Sequence, residues 1–317
     1  MDGKVEAICT GARRGIPKTP VDHARLLEGH GLAGDAHAGS GHRQVSILAR
    51  ADVQTVADRR GSLPSPGAFG ENLILSGLDL GTLGLGSRLS VGPEAVLRIS
   101  QIGKCCHEPC CVRRQDEDCI MPQSGLFASV EDGGPVAAGD PVRVLSTVEP
   151  STFQAVVLTV SDRCSAGLAQ DTAGPAVAKL VREALPAHIY AAEVIPDGRA
   201  GVAERLRAYA DGRGIDLIVA VGGTGLGPRD ETPEAVRDVV QRLTPGFDEA
   251  MRGASAASTP FAMLSRACSG IRGSTLIVSL PGSERAALEN LHAILPALPH
   301  GLAKLRGDPA DCGRRAP

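Results

Sequence analysis

The densest run of chemically useful residues in the chain is Gly222-Gly223-Thr224-Gly225-Leu226-Gly227-Pro228-Arg229-Asp230-Glu231-Thr232-Pro233-Glu234. It follows an apolar run at 216–221 and leads into a helix predicted from Pro233. Glycines at such a turn let backbone N–H groups approach an anion with no Cβ in the way. Thr232 reads as the N-cap, Pro233 as the first helical residue and Glu234 as a carboxylate at the positive helix end. The string lacks the Gly-Lys-Ser/Thr of a Walker A loop, and its spacing is not that of the dinucleotide fingerprint. By residue type alone it is either a phosphate cradle or an ordinary strand-to-helix turn. Other predicted strand ends add weight to the cradle. Ser161-Asp162, Pro196-Asp197-Gly198 and Pro281-Gly282-Ser283 each close an apolar run. In a parallel sheet such ends share one edge, where ligands bind. Three carboxylates (Asp162, Asp197 and Asp230) beside two glycine turns are more than capping requires.

A second constellation is the cysteine cluster. Of nine cysteines, five stand between Cys105 and Cys119, in Lys104-Cys105-Cys106-His107-Glu108-Pro109-Cys110-Cys111 and then Cys119. Secreted scaffolds spread cysteines to staple distant segments, so the clustering predicts a cytoplasmic chain whose thiols bind a metal or react. Cys106, His107, Cys110 and Cys119 read as zinc ligands, although no Cys-x2-Cys pair is present. An iron–sulfur site is open on the same footing. The third reading is a reactive thiol activated by Lys104 and a protonated His107. Inert packing suits Cys9, Cys164 and Cys268 better than it suits the cluster.

The elements that must position these residues differ between the two parts of the chain. Residues 1–148 carry short apolar runs closely punctuated by turn residues, which predicts a mainly-β barrel with one helix near 48–59. Residues 152–307 alternate strand-like and helix-like segments, which predicts a three-layer, Rossmann-like α/β domain with a mostly parallel sheet. The last helix is predicted to be long and to begin at Ser283. The tail, 308–317, is expected to be disordered.

Composition narrows the function. Aromatic residues are 2% of the chain and Trp is absent, so base stacking on aromatic platforms is largely excluded. The net charge is −3, and neither part has the basic excess of a nucleic-acid binder. No apolar window is long enough for a membrane helix, and the N-terminus lacks the apolar core of a secretory signal.

Both parts resemble known families. Thr159-Val160-Ser161-Asp162-Arg163, Gly222 to Glu234, Thr244-Pro245-Gly246-Phe247, Leu264-Ser265-Arg266 and Leu280-Pro281-Gly282-Ser283 resemble the bacterial molybdopterin adenylyltransferase family, also found as the G domain of gephyrin. The resemblance implies a homotrimer that binds molybdopterin and Mg-ATP and transfers AMP to the pterin's terminal phosphate. It implies Asp230 and Asp197 as catalytic residues that hold Mg²⁺. It implies substrate binding by Ser161, Asp162, Gly222, Gly223, Thr224, Gly225, Thr232, Glu234, Ser265, Arg266, Pro281, Gly282 and Ser283. A related fold that inserts molybdate is the nearby alternative, disfavoured by the compactness of this half.

In the first part, Gly31 to His37, His42-Arg43-Gln44-Val45-Ser46, Gly67 to Leu73 and Gly139-Asp140-Pro141-Val142 resemble the MOSC domain, named from molybdenum cofactor sulfurases. That resemblance implies a β-barrel that handles sulfur as a cysteine persulfide, or the cofactor and its molybdenum. Cys106 stands at the family cysteine, with Asp35, His37 and Asn72 near a pocket or in structural turns. The combined expectation is a bifunctional enzyme of molybdenum cofactor biosynthesis. Its partners would be other molybdenum cofactor enzymes or a sulfur donor. The alternative is a non-catalytic cofactor carrier or scaffold with a metal-binding cysteine cluster.

Overall fold

A computed structural model describes residues 2–104 and 119–309. Contacts divide the chain into two units, 1–151 and 152–317.

The first unit is built on β1 (Asp2–Thr10), β2 (Thr19–Val21), β3 (His23–Leu27), β4 (Gly31–Leu32), β5 (Val45–Ala49), β6 (Leu73–Ser76), β7 (Arg88–Val91), β8 (Ala95–Ile102), β9 (Leu126–Asp132), β10 (Gly134–Ala137) and β11 (Pro141–Ser146). Seven of these run in the order β11-β7-β8-β9-β5-β6-β1, and β1 pairs back with β11, so the barrel closes without a free edge. All its pairings are antiparallel except β5 with β6. Alternation along β5 explains why it is buried throughout. Val45, Ile47 and Ala49 point into the barrel core, while Leu48 points outward into a cluster with Val53, Val56, Phe69, Met121 and Phe127. The outer cluster is supplied partly by the helix Arg50–Arg60, close to the expected one.

The second unit has one sheet in the order β13 (Ala187–Ile195), β12 (Phe153–Val160), β14 (Leu217–Val221), β17 (Thr275–Leu280), β16 (Ser269–Arg272), β15 (Arg242–Leu243). The first four are parallel, and the pairings of β16 with β17 and of β15 with β16 are antiparallel. Every residue of β12, β14 and β17 is buried, as a central strand covered on both faces must be. Helices Ala173–Ala184, Glu284–Ile294 and Leu298–Leu305 pack their apolar stripes on one face, with Val177, Val181, Leu291, Leu298 and Leu302 in the core. Helices Arg199–Ala210 and Thr232–Val239 pack together against the rest of the sheet.

Two expected elements differ. The last helix is interrupted by a 3-10 turn at Leu295–Ala297, where Pro296 cannot donate a helical hydrogen bond. Residue 232 opens its helix instead of capping it: the cap position is Glu231, and no side chain bonds the first turn. Of the tail expected to be disordered, residues 310–317 lie outside the described residues, and Asp308 donates its N–H to the Ala303 carbonyl at 3.1 Å.

Candidate functional site

The four parallel strands of the second unit end at one edge, and each hands over to a polar turn. β12 leads to Ser161-Asp162, β13 to Asp197, β14 to Gly222-Gly223 and β17 to Pro281-Gly282. The turn after β14 needs glycine for two separate reasons. Gly222 has φ +110°, and a Cβ there would lie 2.3 Å from the Val160 carbonyl oxygen. Gly223 has φ +62°, and its Cβ would meet Thr232 Oγ1 at 2.4 Å. Gly222→Ala is therefore expected to destabilise the second unit by about 1–3 kcal/mol. Thermal denaturation followed by circular dichroism checks this, and a melting profile unchanged from wild type would contradict it.

Two cavities meet at this edge. One, of 280 Å³, is lined by Ser161, Asp197, Gly222, Gly223, Asp230 and Gly282, together with Thr159, Cys164, Gln170, Asp171 and Thr172. The other, of 420 Å³, is lined by Gly223, Thr224, Gly225, Asp230, Ser265, Pro281 and Gly282, together with Arg252, Ser255, Thr259, Phe261 and Asn290. Gly223, Asp230 and Gly282 belong to both. Asp230 folds back over its own turn, with Oδ2 accepting the Gly227 N–H at 2.8 Å. A Cβ on Gly225 or Gly227 would come within 2.9 or 2.7 Å of that oxygen.

Several residues expected to bind substrate do other work. Asp162 and Asp197 brace each other: the Asp162 N–H donates to Asp197 Oδ2 at 2.7 Å and the Asp197 N–H to Asp162 Oδ1 at 3.0 Å. The Asp162 carboxylate also faces Arg229, whose Nε lies 2.7 Å from Oδ2. Arg266 holds the glycine turn from behind. It donates from Nε to the Gly225 carbonyl at 2.7 Å, from Nη1 to Glu234 Oε1 at 2.6 Å, and from Nη2 to the Asp230 carbonyl. Glu234 is thus the partner of Arg266. Thr232 is buried beneath Gly223, its Oγ1 without a hydrogen-bond partner. Ser283 sits at the cap of helix Glu284–Ile294 and lines neither cavity.

The sequence reading missed Asp171, which accepts the Thr159 hydroxyl at 2.7 Å and the Gly174 N–H at 2.9 Å. An Asp-Thr pair just before a predicted helix was the available signal. Arg229 stands next to Asp230 in the glycine string, where its residue type alone assigns it no role.

Among the described residues, no three His, Cys, Asp or Glu side chains converge to hold a metal by themselves. Two lining carboxylates, Asp197 and Asp230, suit a hard cation that brings phosphate oxygens as its remaining ligands. Gly222 and Gly223 of the glycine turn line the same cavity as these two carboxylates.

The first unit has its own pocket, of 270 Å³, lined by His37, Arg43, Ser46, Asn72 and Lys104 with the apolar Ile16, Phe69, Met121 and Phe127. Arg43 donates to Gln101 Oε1 at 2.7 Å and lies over the Phe127 ring. Asn72 accepts the Ser46 N–H at 3.0 Å and donates to the Cys9 carbonyl at 3.1 Å, joining β5, β6 and β1. Asp35 does not line the pocket. It is buried beneath it and accepts Lys18 Nζ at 3.0 Å and the N–H groups of Gly11 and His37. Lys104 and Met121, on either side of the cysteine-rich segment, both line the pocket, and the Lys104 N–H bonds the Pro122 carbonyl at 3.1 Å. Cys106 itself lies outside the described residues, as do Cys105, His107, Cys110 and Cys111. Burial pushes the Cys9 thiol up to about 12 and raises that of Cys268.

Comparison with known proteins follows the division into units. The family model described as a probable molybdopterin binding domain matches residues 156–300, and the MOSC domain model matches residues 34–143. The molybdopterin adenylyltransferase of Helicobacter pylori is 39% identical over 159 residues, covering 50% of this chain and 90% of that protein. The chain belongs to the molybdopterin adenylyltransferase family. Gephyrin of Dictyostelium discoideum is 39% identical over 162 residues, which are 48% of this chain but only 22% of gephyrin. The molybdopterin biosynthesis enzyme MoaB of Thermus thermophilus, a solved structure, is 44% identical; it covers 50% of this chain and 100% of its own, with a TM-score of 0.48. The resemblance to the adenylyltransferase family falls wholly in the second unit, and the MOSC match lies wholly in the first. No described helix is long and apolar enough to cross a membrane.

Proposed function

We propose that this chain serves molybdenum cofactor biosynthesis and that its second unit adenylylates molybdopterin with Mg-ATP. The observation that carries this reading is the shared rim, where Asp197, Asp230, Gly222, Gly223 and Gly282 border cavities large enough for phosphorylated ligands. An oxygen of the pterin's terminal phosphate attacks the α-phosphorus of ATP. A P–O bond forms there as the bond to departing pyrophosphate breaks. The phosphate is already anionic, so no strong general base is required of the protein. The difficulty is bringing two anions together. Asp197 and Asp230 would hold Mg²⁺, whose charge offsets that of the phosphates when bound. Backbone N–H groups of the glycine turn would orient the phosphate oxygens. Asp171, Thr159 and Ser161 supply polar walls to one cavity, and Ser265, Ser255 and Asn290 to the other.

The test is incubation of the full-length chain with molybdopterin and Mg-ATP, followed by detection of pyrophosphate and the adenylated pterin. Binding of molybdopterin with no pyrophosphate formed would instead favour the carrier reading. The homotrimer belongs to the same proposal and is checked by light scattering in solution.

For the first unit we propose sulfur or cofactor handling at the pocket bounded by His37, Arg43 and Lys104, with Cys106 as the reactive thiol. Three cationic or ionisable side chains among apolar walls suit an anionic ligand with a flat body. Limited alkylation read by mass spectrometry is expected to label Cys106 first. Cys9 and Cys268 should stay silent, because burial keeps their thiols protonated. Early labelling of either buried thiol, with Cys106 unreacted, would end this part of the proposal.

A further inference from the structure

Of Asp162, Asp197 and Asp230, the carboxylates at the loop tips after β12, β13 and β14, only Asp197 and Asp230 line a cavity, where Asp171 and Glu289 also stand. Asp162 is occupied by Arg229 at two points: Nε lies 2.7 Å from Oδ2, and Nη2 donates to Oδ1 at 3.0 Å. The same Nη2 donates to the Asp197 carbonyl at 2.9 Å. Arg229 is also the chain neighbour of Asp230. One guanidinium therefore links the loop tips that follow β12, β13 and β14. The side chains of Arg229 and Asp162 are 65% and 43% exposed, and an ion pair so open to water adds little to folding stability. Its consequence is local. A planar fork on a carboxylate fixes both its oxygens and cancels its charge.

We propose that Arg229 is a positioning residue that withholds Asp162 from the cation. The rim then offers a divalent metal Asp197 and Asp230 without Asp162, and the Asp162 charge is not added to that of the cavity carboxylates, Asp171 and Glu289 included, that an incoming polyphosphate meets. The proposal rests on the reading of this rim as a Mg-ATP site. Its logic is that of competing ligands. A hard cation held by two carboxylates keeps positions open for phosphate oxygens, whereas a third carboxylate would take one of them. Uncompensated, Asp162 would strengthen the hold on a bare cation and repel the nucleotide that has to share it. The reciprocal bonds between Asp162 and Asp197 keep the third carboxylate next to the rim, so its charge has to be cancelled where it stands.

Four full-length proteins test this: wild type, Arg229→Gln, Asp162→Asn and the double variant. The first readout is Mn²⁺ alone, titrated by its electron paramagnetic resonance signal. The second is Mg-ATP, titrated by calorimetry. Arg229→Gln is expected to bind Mn²⁺ about five- to tenfold more tightly and Mg-ATP about five- to tenfold more weakly than wild type. Adding Asp162→Asn removes the uncompensated charge, and its amide oxygen can still accept the Asp197 N–H. The double variant is therefore expected to return both affinities to within about twofold of wild type. A merely structural clamp would lower Mn²⁺ affinity in Arg229→Gln and in the double variant alike, and that result overturns the proposal. So does an Mg-ATP affinity lost in Arg229→Gln and not restored in the double variant, which is the signature of an arginine that touches the phosphates itself. Absence of Mn²⁺ and Mg-ATP binding in the wild type would overturn the reading of the rim along with the proposal. Normal wild-type binding with no shift in Arg229→Gln would overturn the proposal alone.

Discussion

Asp230→Asn in the full-length chain is expected to lower adenylyl transfer by about 10²- to 10³-fold while the fold survives. Asp230 lines both cavities, so its charge lies where pterin phosphate and nucleotide phosphate would meet. Its Oδ2 also accepts the Gly227 N–H at 2.8 Å, and this second role makes asparagine the informative substitution. An amide oxygen can keep the turn bond and loses only the charge; alanine would lose both. Asp197→Asn is expected to show the same pattern, since its carboxylate accepts the Asp162 N–H and lines the smaller cavity. Pyrophosphate release with molybdopterin and Mg-ATP reads the loss. Molybdopterin binding without nucleotide should persist within severalfold, and the thermal transitions should move little. Near-normal turnover in Asp230→Asn would remove this residue from the chemistry.

What the sequence revealed about this site, and what it hid, follows from the range of the interactions. The strands β12, β14 and β17 are continuous apolar runs, so their existence and the shared edge of their polar tips could be read from residue order. The antiparallel edge of β16 and β15 could not. Ser269-Gly270-Ile271-Arg272 is short, contains glycine, and is a strand only because β17 lies beside it. In the barrel, charged or small residues interrupt the apolar runs of β1 and β9, and each is held as a strand by its neighbours, β1 by β6 and β11 and β9 by β5 and β8. Arg266 and Asp162 show the same limit at the level of side chains. Their types were visible, but their partners are carbonyls and guanidinium groups far along the chain. Arg266 reads as a phosphate ligand until Gly225, Asp230 and Glu234 are seen around it. Thr232 reads as a cap until Gly223 is found against its hydroxyl.

The other large effect is expected in the barrel. Lys18→Met should destabilise the first unit by about 3–5 kcal/mol, because it leaves the Asp35 charge buried without its counter-ion. Lys18 Nζ lies 2.9 Å from Asp35 Oδ2, and both side chains are almost wholly buried. Burial alone would raise the Asp35 carboxyl. The His37 side chain, the Lys18 ammonium and the His37 N–H together outweigh burial and hold it well below the usual carboxylate range. The sign of its pH dependence follows. A carboxyl depressed in the folded state contributes stability above its unfolded value of about 3.9, and that contribution is lost as pH falls through the folded value. Glu71 acts in the opposite sense. Burial raises its carboxyl against the N–H groups of Gly67 and Phe69, so its contribution is present below about 4.3 and lost as pH rises through the folded value. Lys18→Met should therefore lose most at neutral pH and converge towards wild type in acid, where Asp35 no longer needs a partner. Replacing both residues by apolar ones will not repair the damage, since Asp35 also satisfies the N–H groups of Gly11 and His37. Lys18→Met with Asp35→Asn should recover part of it, because an amide oxygen can still accept one of those bonds. Thermal melting across pH decides the matter: a Lys18→Met transition within a degree or two of wild type at neutral pH would show that the buried pair contributes nothing. The same loops carry Ile16 and His37 to the pocket wall, so a weakened pair should also loosen the pocket, seen as faster amide exchange there than in the barrel strands.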